Sequence, residues 1–181
     1  MNISDTSLPG VLLLTPTMYR DHRGAFCETW NHQRFADAGL PTQWVQDNCS
    51  YSAKNVVRGI HYQVIQPQAK LVRASGGVVL DVVIDLRRSS SDFGRHMAVE
   101  LSAELGQMLY IPVGFGHGFA ALTDGVGVAY KVTDYYCPAG ERTILWNDPD
   151  IGIKWSMPTE AAILSDKDLK GCNLRDAEVF A

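Results

Sequence analysis

The chain has 181 residues, 46 % of them apolar and 20 % charged. That is the composition of a soluble globular protein with room for a core of its own, and it excludes whole-chain disorder, collagen-like repeats and coiled coils. Sixteen Lys and Arg against twenty Asp and Glu give a formal net charge of −4, which argues against non-specific nucleic-acid binding through a basic surface. No run approaches 18 uncharged apolar residues, so no spanning helix and no membrane partner are expected. The opening MNISDTSLPG lacks a basic region followed by an apolar one, so it does not read as a secretory signal. Cys27, Cys49, Cys137 and Cys172 form no CxxC pair and read as free thiols in a reducing cytoplasm.

In chain order the sequence predicts strands at 11–14, 25–30, 44–45, 56–64 and 70–74, then at 78–86, 97–101, 108–111, 118–122, 126–132 and 143–146. These runs are short, β-branched or aromatic, and bounded by Gly, Pro, Asp or Ser, which points to an antiparallel sandwich or barrel. One helix is expected over 31–38, with Asn31 as its N-cap and Gly39 just past its end. A second helical stretch is expected within 159–170. The 87–92 segment, RRSSSD, reads as an exposed turn. Strands and helices do not alternate, and GxGxxG and GxxxxGK[ST] loops are absent, so a doubly wound nucleotide fold is not expected. Residues 1–181 read as one domain.

Five segments carry residues suited to chemistry. Arg58-Gly59-Ile60-His61-Tyr62-Gln63 places three polar side chains in one strand. Strict alternation puts His61 and Gln63 on one face and Arg58 on the other; a bulge at Gly59 would bring Arg58 round. The plainer reading is a strand with one solvated face. Gln68 to Arg73 leads an apolar strand with Lys70. Gly114, Gly116 and Gly118 surround His117, which fits a backbone turning sharply to place the imidazole. Tyr130 to Tyr136, and Leu164 to Asp168, add tyrosines and a charged cluster whose plain readings are sheet rim and solvated surface.

Read together, DHRGAFCETW, QDN, VRGIHYQ, KLVR, IPVGFGHGF, YKVTDYY, WNDPDIGIKW and LSDKD resemble, in order, the dTDP-4-dehydrorhamnose 3,5-epimerase family. The resemblance runs from about Tyr19 to Asp168. It implies an all-β, cupin-type antiparallel β-jelly roll with a few short helices, and a homodimer that exchanges an N-terminal segment. It implies an isomerase that inverts C3 and C5 of dTDP-4-dehydro-6-deoxy-D-glucose. By the same resemblance His61 is the base, Asp168 its carboxylate partner (Asp166 being the alternative), Tyr130 the proton donor, and Lys70 the cation at the 4-keto oxygen. Arg23, Phe26, Glu28, Gln46, Asp47, Asn48, Arg58, His117, Glu141 and Lys167 match positions that bind the dTDP-keto-sugar, those from Arg23 to Glu28 in the partner's site. The loop between Gln63 and Lys70 is a residue shorter than the family's commoner pattern.

The chemistry fits these residue types. A proton on carbon beside a ketone needs a base to remove it, and a neutral imidazole is one near neutral pH. A carboxylate on its other nitrogen fixes the tautomer, and a fixed cation steadies the enolate oxygen. Many cupins hold a metal through HxH, a Glu and a later His. Here His61-Tyr62-Gln63 replaces one histidine by an amide, so no catalytic metal and no cofactor are expected. Two alternatives stay open: a single-centre epimerase or ketoisomerase on a related dTDP-keto-sugar, and a nucleotide-sugar-binding protein without catalysis.

Overall fold

A computed structural model describes residues 1–181. Thirteen strands form two antiparallel sheets and a small hairpin. The first sheet contains β1 (Asn2–Asp5), β2 (Leu12–Thr15), β5 (Gln46–Ser52), β7 (Lys70–Gly76), β10 (Met108–Ile111) and β12 (Val126–Val132). Its order is β1-β2-β10-β7-β12-β5. The second contains β6 (Val57–Gln63), β8 (Val78–Asp85), β9 (His96–Ser102), β11 (Phe115–Ala121) and β13 (Glu141–Thr143), in the order β13-β6-β11-β8-β9. β3 (Tyr19–Asp21) and β4 (Gly24–Phe26) pair only with each other.

Side-chain alternation explains why the sheets stack. Val72 and Ala74 of β7, Leu109 and Ile111 of β10, and Val126 and Val128 of β12 point inward from the first sheet. They meet Val79 and Val83 of β8, Met97 and Leu101 of β9, and Phe115, Phe119 and Ala121 of β11. The intervening residues of the second sheet, among them Ile60, Tyr62, Leu80, Val82, Ile84 and Ala120, pack outward under the C-terminal segment with Trp146, Trp155 and Leu174. The outward Leu14, Leu71 and Met108 of the first sheet are covered by Phe35 and Leu40. Each sheet is thus buried on both faces over much of its area, which accounts for near-continuous apolar runs such as VVLDVVID.

The all-β expectation holds, and several boundaries differ. Residues 25–30 were expected as a strand; only the β4 part is one, and the chain then leaves the hairpin. β5 replaces the strand expected at 44–45. It reads QDNCSYS and has no apolar signature, because its alternate residues face a polar cavity. α1 (His32–Asp37) begins where expected: Asn31 accepts a hydrogen bond from the Arg34 N–H, and Gly39 takes φ +69° just past the end. The 159–170 stretch forms a 3-10 turn, Thr159–Ala161, and then the four-residue helix α2 (Asp166–Leu169). No helix is long and apolar enough to cross a membrane. All four cysteines are free.

Candidate active site

At one end the two sheets do not close, and a cavity of about 490 Å³ opens between them. The inner face of β6 supplies Arg58, His61 and Gln63; β11 supplies His117 and Phe119; β5 supplies Gln46, Asn48 and Ser50; β7 gives Lys70 and β12 gives Tyr130. Glu141, Ser165, Lys167 and Asp168 close the rim.

Arg58 and His61 share this wall because of a bulge. His117 pairs with His61 and Phe119 with Arg58, so three steps on β6 answer two on β11. The outward residues confirm it: Val57 and Ile60, rather than Val57 and Gly59, lie in the outer core. Strict alternation would have put Arg58 on the other face; the extra residue corrects that. Gly59 has φ +115°, and a Cβ there would lie 2.6 Å from Gly118 Cα and 2.7 Å from the His117 oxygen. The glycines around His117 act differently from the expectation. Only Gly114 takes a positive φ, +101°. Gly116 and Gly118 are extended, and are small because side chains there would strike Ile60, Leu86 and the Arg58 backbone.

His61 Nε2 lies 2.5 Å from Asp168 Oδ1. Asp168 is 3 % exposed, and Asp166 is exposed to solvent, so Asp168 is the carboxylate paired with His61. Ser165 holds it. The Ser165 hydroxyl donates to Oδ2 at 2.8 Å and accepts from the Asp168 N–H at 3.2 Å, as the N-cap of α2. Burial raises the Asp168 carboxyl, but bonding to His61 and Ser165, the His61 charge and the Gly59 N–H outweigh it and hold the group below the ordinary range. For His61, burial is the largest influence and lowers the imidazole; Asp168 opposes it, Lys167 and Lys70 assist it, and the net direction is down. His61 Nδ1 makes no hydrogen bond within the chain.

Lys70 reaches the cavity despite its short preceding loop. It is almost fully buried and donates to the His61 carbonyl at 3.3 Å. Burial brings its ammonium down to about 8, against the opposing pull of Asp81 and Glu141. Tyr130 stands on the same sheet as Lys70, on the neighbouring strand β12, across the cavity from His61. Burial, with Glu141, raises its phenol, and Arg58 counteracts this only in part. At neutral pH it therefore carries its proton. Glu141 pairs with Lys167 and accepts from the Tyr136 hydroxyl at 2.8 Å.

A cupin-type metal set does not fit these residues. The Gln63 amide is consumed by the backbone, donating to Gln66 and Tyr135 oxygens at 2.8 and 3.2 Å and accepting from the Cys137 N–H at 3.0 Å. His61 and His117 each commit Nε2 to a carboxylate. No three His, Cys, Asp or Glu side chains converge as ligands.

This acid, base and cation arrangement has known counterparts. The sequence profile of the dTDP-4-dehydrorhamnose 3,5-epimerase family matches residues 5–176. The chain belongs to that family. It is 45 % identical to the dTDP-4-dehydrorhamnose 3,5-epimerase of Pseudomonas aeruginosa over 181 residues, 99 % of each chain. It is 45 % identical to that of Escherichia coli K12 over 170 residues, 93 % of this chain and 91 % of the relative. A Legionella pneumophila epimerase solved with dTDP-4-keto-L-rhamnose superposes with TM-score 0.94 at 40 % identity, covering 98 % of this chain and 94 % of that one. A 3′-monoepimerase of Streptomyces bikiniensis bound to dTDP-quinovose gives 0.87 at 35 % identity, covering 94 % and 86 %.

Among the residues that the family resemblance singled out, His61, Lys70, Tyr130, Asp168, Gln46, Asn48, Arg58, His117, Glu141 and Lys167 line the one cavity. Four do not. Asp47 faces the other side of β5, paired with Lys131 at 2.9 Å. Arg23 is exposed on the hairpin and paired with Asp21 at 2.6 Å. Phe26, 69 % exposed, stands near Tyr19 on the same hairpin. Glu28 accepts from Asn31 Nδ2 at 3.2 Å and lies by Arg34. Sequence reading passed over Ser50, Ser165 and Asp81. Ser165-x-x-Asp168 is a capping-box pattern and was the available signal for the second; a single Asp inside VVLDVVID was the signal for the third.

Proposed function

We propose that this chain inverts C3 and C5 of dTDP-4-dehydro-6-deoxy-D-glucose to give dTDP-4-dehydro-L-rhamnose, through an enolate formed and quenched in the cavity between the sheets. The observation that carries this reading is the His61–Asp168 pair on one wall with the protonated Tyr130 phenol on the other. His61 takes the proton beside the ketone through Nδ1, the nitrogen not bonded to Asp168. Asp168 steadies the imidazolium so formed. The Lys70 ammonium meets the enolate oxygen, where a preorganised charge in a site of low dielectric is most effective. Tyr130 returns a proton from the opposite face, and that change of face is the inversion. Proton exchange with solvent then returns His61 to the imidazole and Tyr130 to the phenol, and the same cycle at the second carbon completes the reaction.

Arg58 and Lys167 supply positive charge at the rim for the diphosphate, which the acidic chain as a whole does not provide. The hairpin extends Arg23 and Phe26 away from their own cavity. This supports a homodimer in which that segment, with Glu28, completes the partner's site. The protein so read works in the cytoplasm as one domain per subunit, without cofactor or metal.

The test is incubation with dTDP-4-dehydro-6-deoxy-D-glucose in D₂O, locating deuterium by NMR. Deuterium at C3 and C5 with inversion at both is the expected result. Deuterium at C3 alone would reduce the activity to one centre. Binding without exchange at either carbon would overturn the assignment. Sedimentation of the free protein at micromolar concentration reads the dimer separately.

A further inference from the structure

A second buried carboxylate lies behind the cavity wall, bonded to His117, which lines it, and the reaction sequence above does not use it. Asp81 is completely buried in the middle of β8, whose neighbours Val79, Leu80, Val82 and Val83 are all core residues. An apolar residue at such a position would avoid the cost of taking a charge out of water. Its hydrogen bonding is sparse for a buried carboxylate: His117 Nε2 donates to both oxygens at 3.0 Å, and no other side chain does. A single shared N–H leaves most of the acceptor capacity of the carboxylate unused.

The inner faces of the sheets show what else this charge meets. Asp81, Val83 and His117 project from the second sheet toward Lys70 on the first. Lys70 is buried with one hydrogen bond, to a neutral carbonyl. The charges acting on it are Asp81 of β8, Glu141 of β13 and Lys167 of α2, its carbonyl partner belongs to His61 of β6, and Arg58, Tyr62, His117, Tyr130, Tyr136 and Asp168 are the remaining titratable groups of the walls. Glu141 is already paired with Lys167 and His61 with Asp168. Asp81 is the carboxylate left to balance Lys70.

Building on the epimerase reading, we propose that Asp81 is a positioning residue of the reaction: it clamps the His117 ring through both carboxylate oxygens and supplies the buried negative charge that keeps Lys70 an ammonium at the enolate oxygen. Removing the charge while keeping the shape leaves Lys70 desolvated and uncompensated. An opposite charge close by moves a pKa by about 1–3 units, so its loss moves Lys70 downward from about 8. A fall of about one unit leaves roughly a tenth of the lysine charged at pH 8 instead of half, about a fivefold loss of rate there.

The test is Asp81→Asn in the full chain, with two readouts. One is the pH profile of kcat and KM for deuterium exchange into dTDP-4-dehydro-6-deoxy-D-glucose. The other is the titration of Lys70 after reductive ¹³C-methylation, its NMR signal assigned with Lys70→Arg. The expected result is a downward move of both the alkaline limb and the Lys70 titration, with KM changed less than kcat. An unmoved limb and an unmoved titration overturn the proposal. So does a uniform loss of kcat at every pH with Lys70 titrating as before, which would leave Asp81 only a support for His117. If the natural protein shows no exchange, the epimerase reading fails, while the lysine titration still decides whether Asp81 holds the charge. Asp81→Ser gives the same comparison if the amide variant does not fold.

Discussion

Replacing Gly59 by Ala tests whether the bulge in β6 builds the site. The added Cβ would sit 2.6 Å from Gly118 Cα and 2.7 Å from the His117 carbonyl oxygen. Both neighbours are backbone atoms of the adjacent strand, so no side chain can swing aside. The residue also sits at φ +115°, where an L-residue is strained by about 1–3 kcal/mol. Overpacking in a close-packed interior adds about 1–3 kcal/mol. The sum, about 2–6 kcal/mol, is a large part of the roughly 5–15 kcal/mol that holds a domain together. At about 2–4 °C per kcal/mol for a chain of this size, Tm should fall by about 5–20 °C. The same shift separates Arg58 from His61, since the extra residue is what brings them to one face. Activity measured well below the new Tm should therefore fall further than the folded fraction does. Thermal unfolding by circular dichroism and the deuterium-exchange rate at 20 °C measure the two effects. A variant that melts within about 2 °C of the parent and exchanges at its rate would refute both the close contact and the role of the bulge.

Two other outcomes follow from the charges and the hydrogen bonds. The pH profile of kcat/KM should be bell-shaped: the His61 base lies below the ordinary imidazole value and becomes competent as pH rises through that lowered value, and activity should decline as Lys70 loses its proton through about 8; a flat alkaline side up to pH 10 would remove Lys70 from the oxyanion. Gln63→Ala should unfold more readily, because three backbone groups lose their buried partner at about 0.5–1.5 kcal/mol each, and urea midpoints equal to the parent's would contradict that account.

How much could be read beforehand differs between particular residues. The core strands were legible because β-branched runs such as Val78 to Ile84 have few other uses. The helix at Asn31 was legible from its cap. β5 was not, since Gln46, Asn48 and Ser50 face the cavity and the opposite face carries Asp47, Cys49 and Tyr51, so neither side has the apolar alternation that marks a strand. Lys70 reads in sequence as an edge charge; only the meeting of two sheets, distant along the chain, shows it buried. The pairing of His61 with Asp168 spans 107 residues, and the family resemblance left Asp166 as an alternative. The short helix settles the choice: Ser165 caps it, and its first turn directs the third residue inward and the first outward.

The same helix shows why the base is tied to the rim. Lys167 and Asp168 are adjacent on α2, one paired with Glu141 at the mouth and the other with His61 inside. In the proposed reaction, a diphosphate drawn to Lys167 would act on the element that also holds the carboxylate paired with His61. Binding energy from the nucleotide, remote from the reacting carbons, is thereby available to orient the proton-transfer groups. The strands on either side are paired along their lengths. The sheets set the separation of the His61 and Tyr130 walls, and in the proposed reaction the short capped helix would bring the substrate's charge to bear on the His61–Asp168 pair.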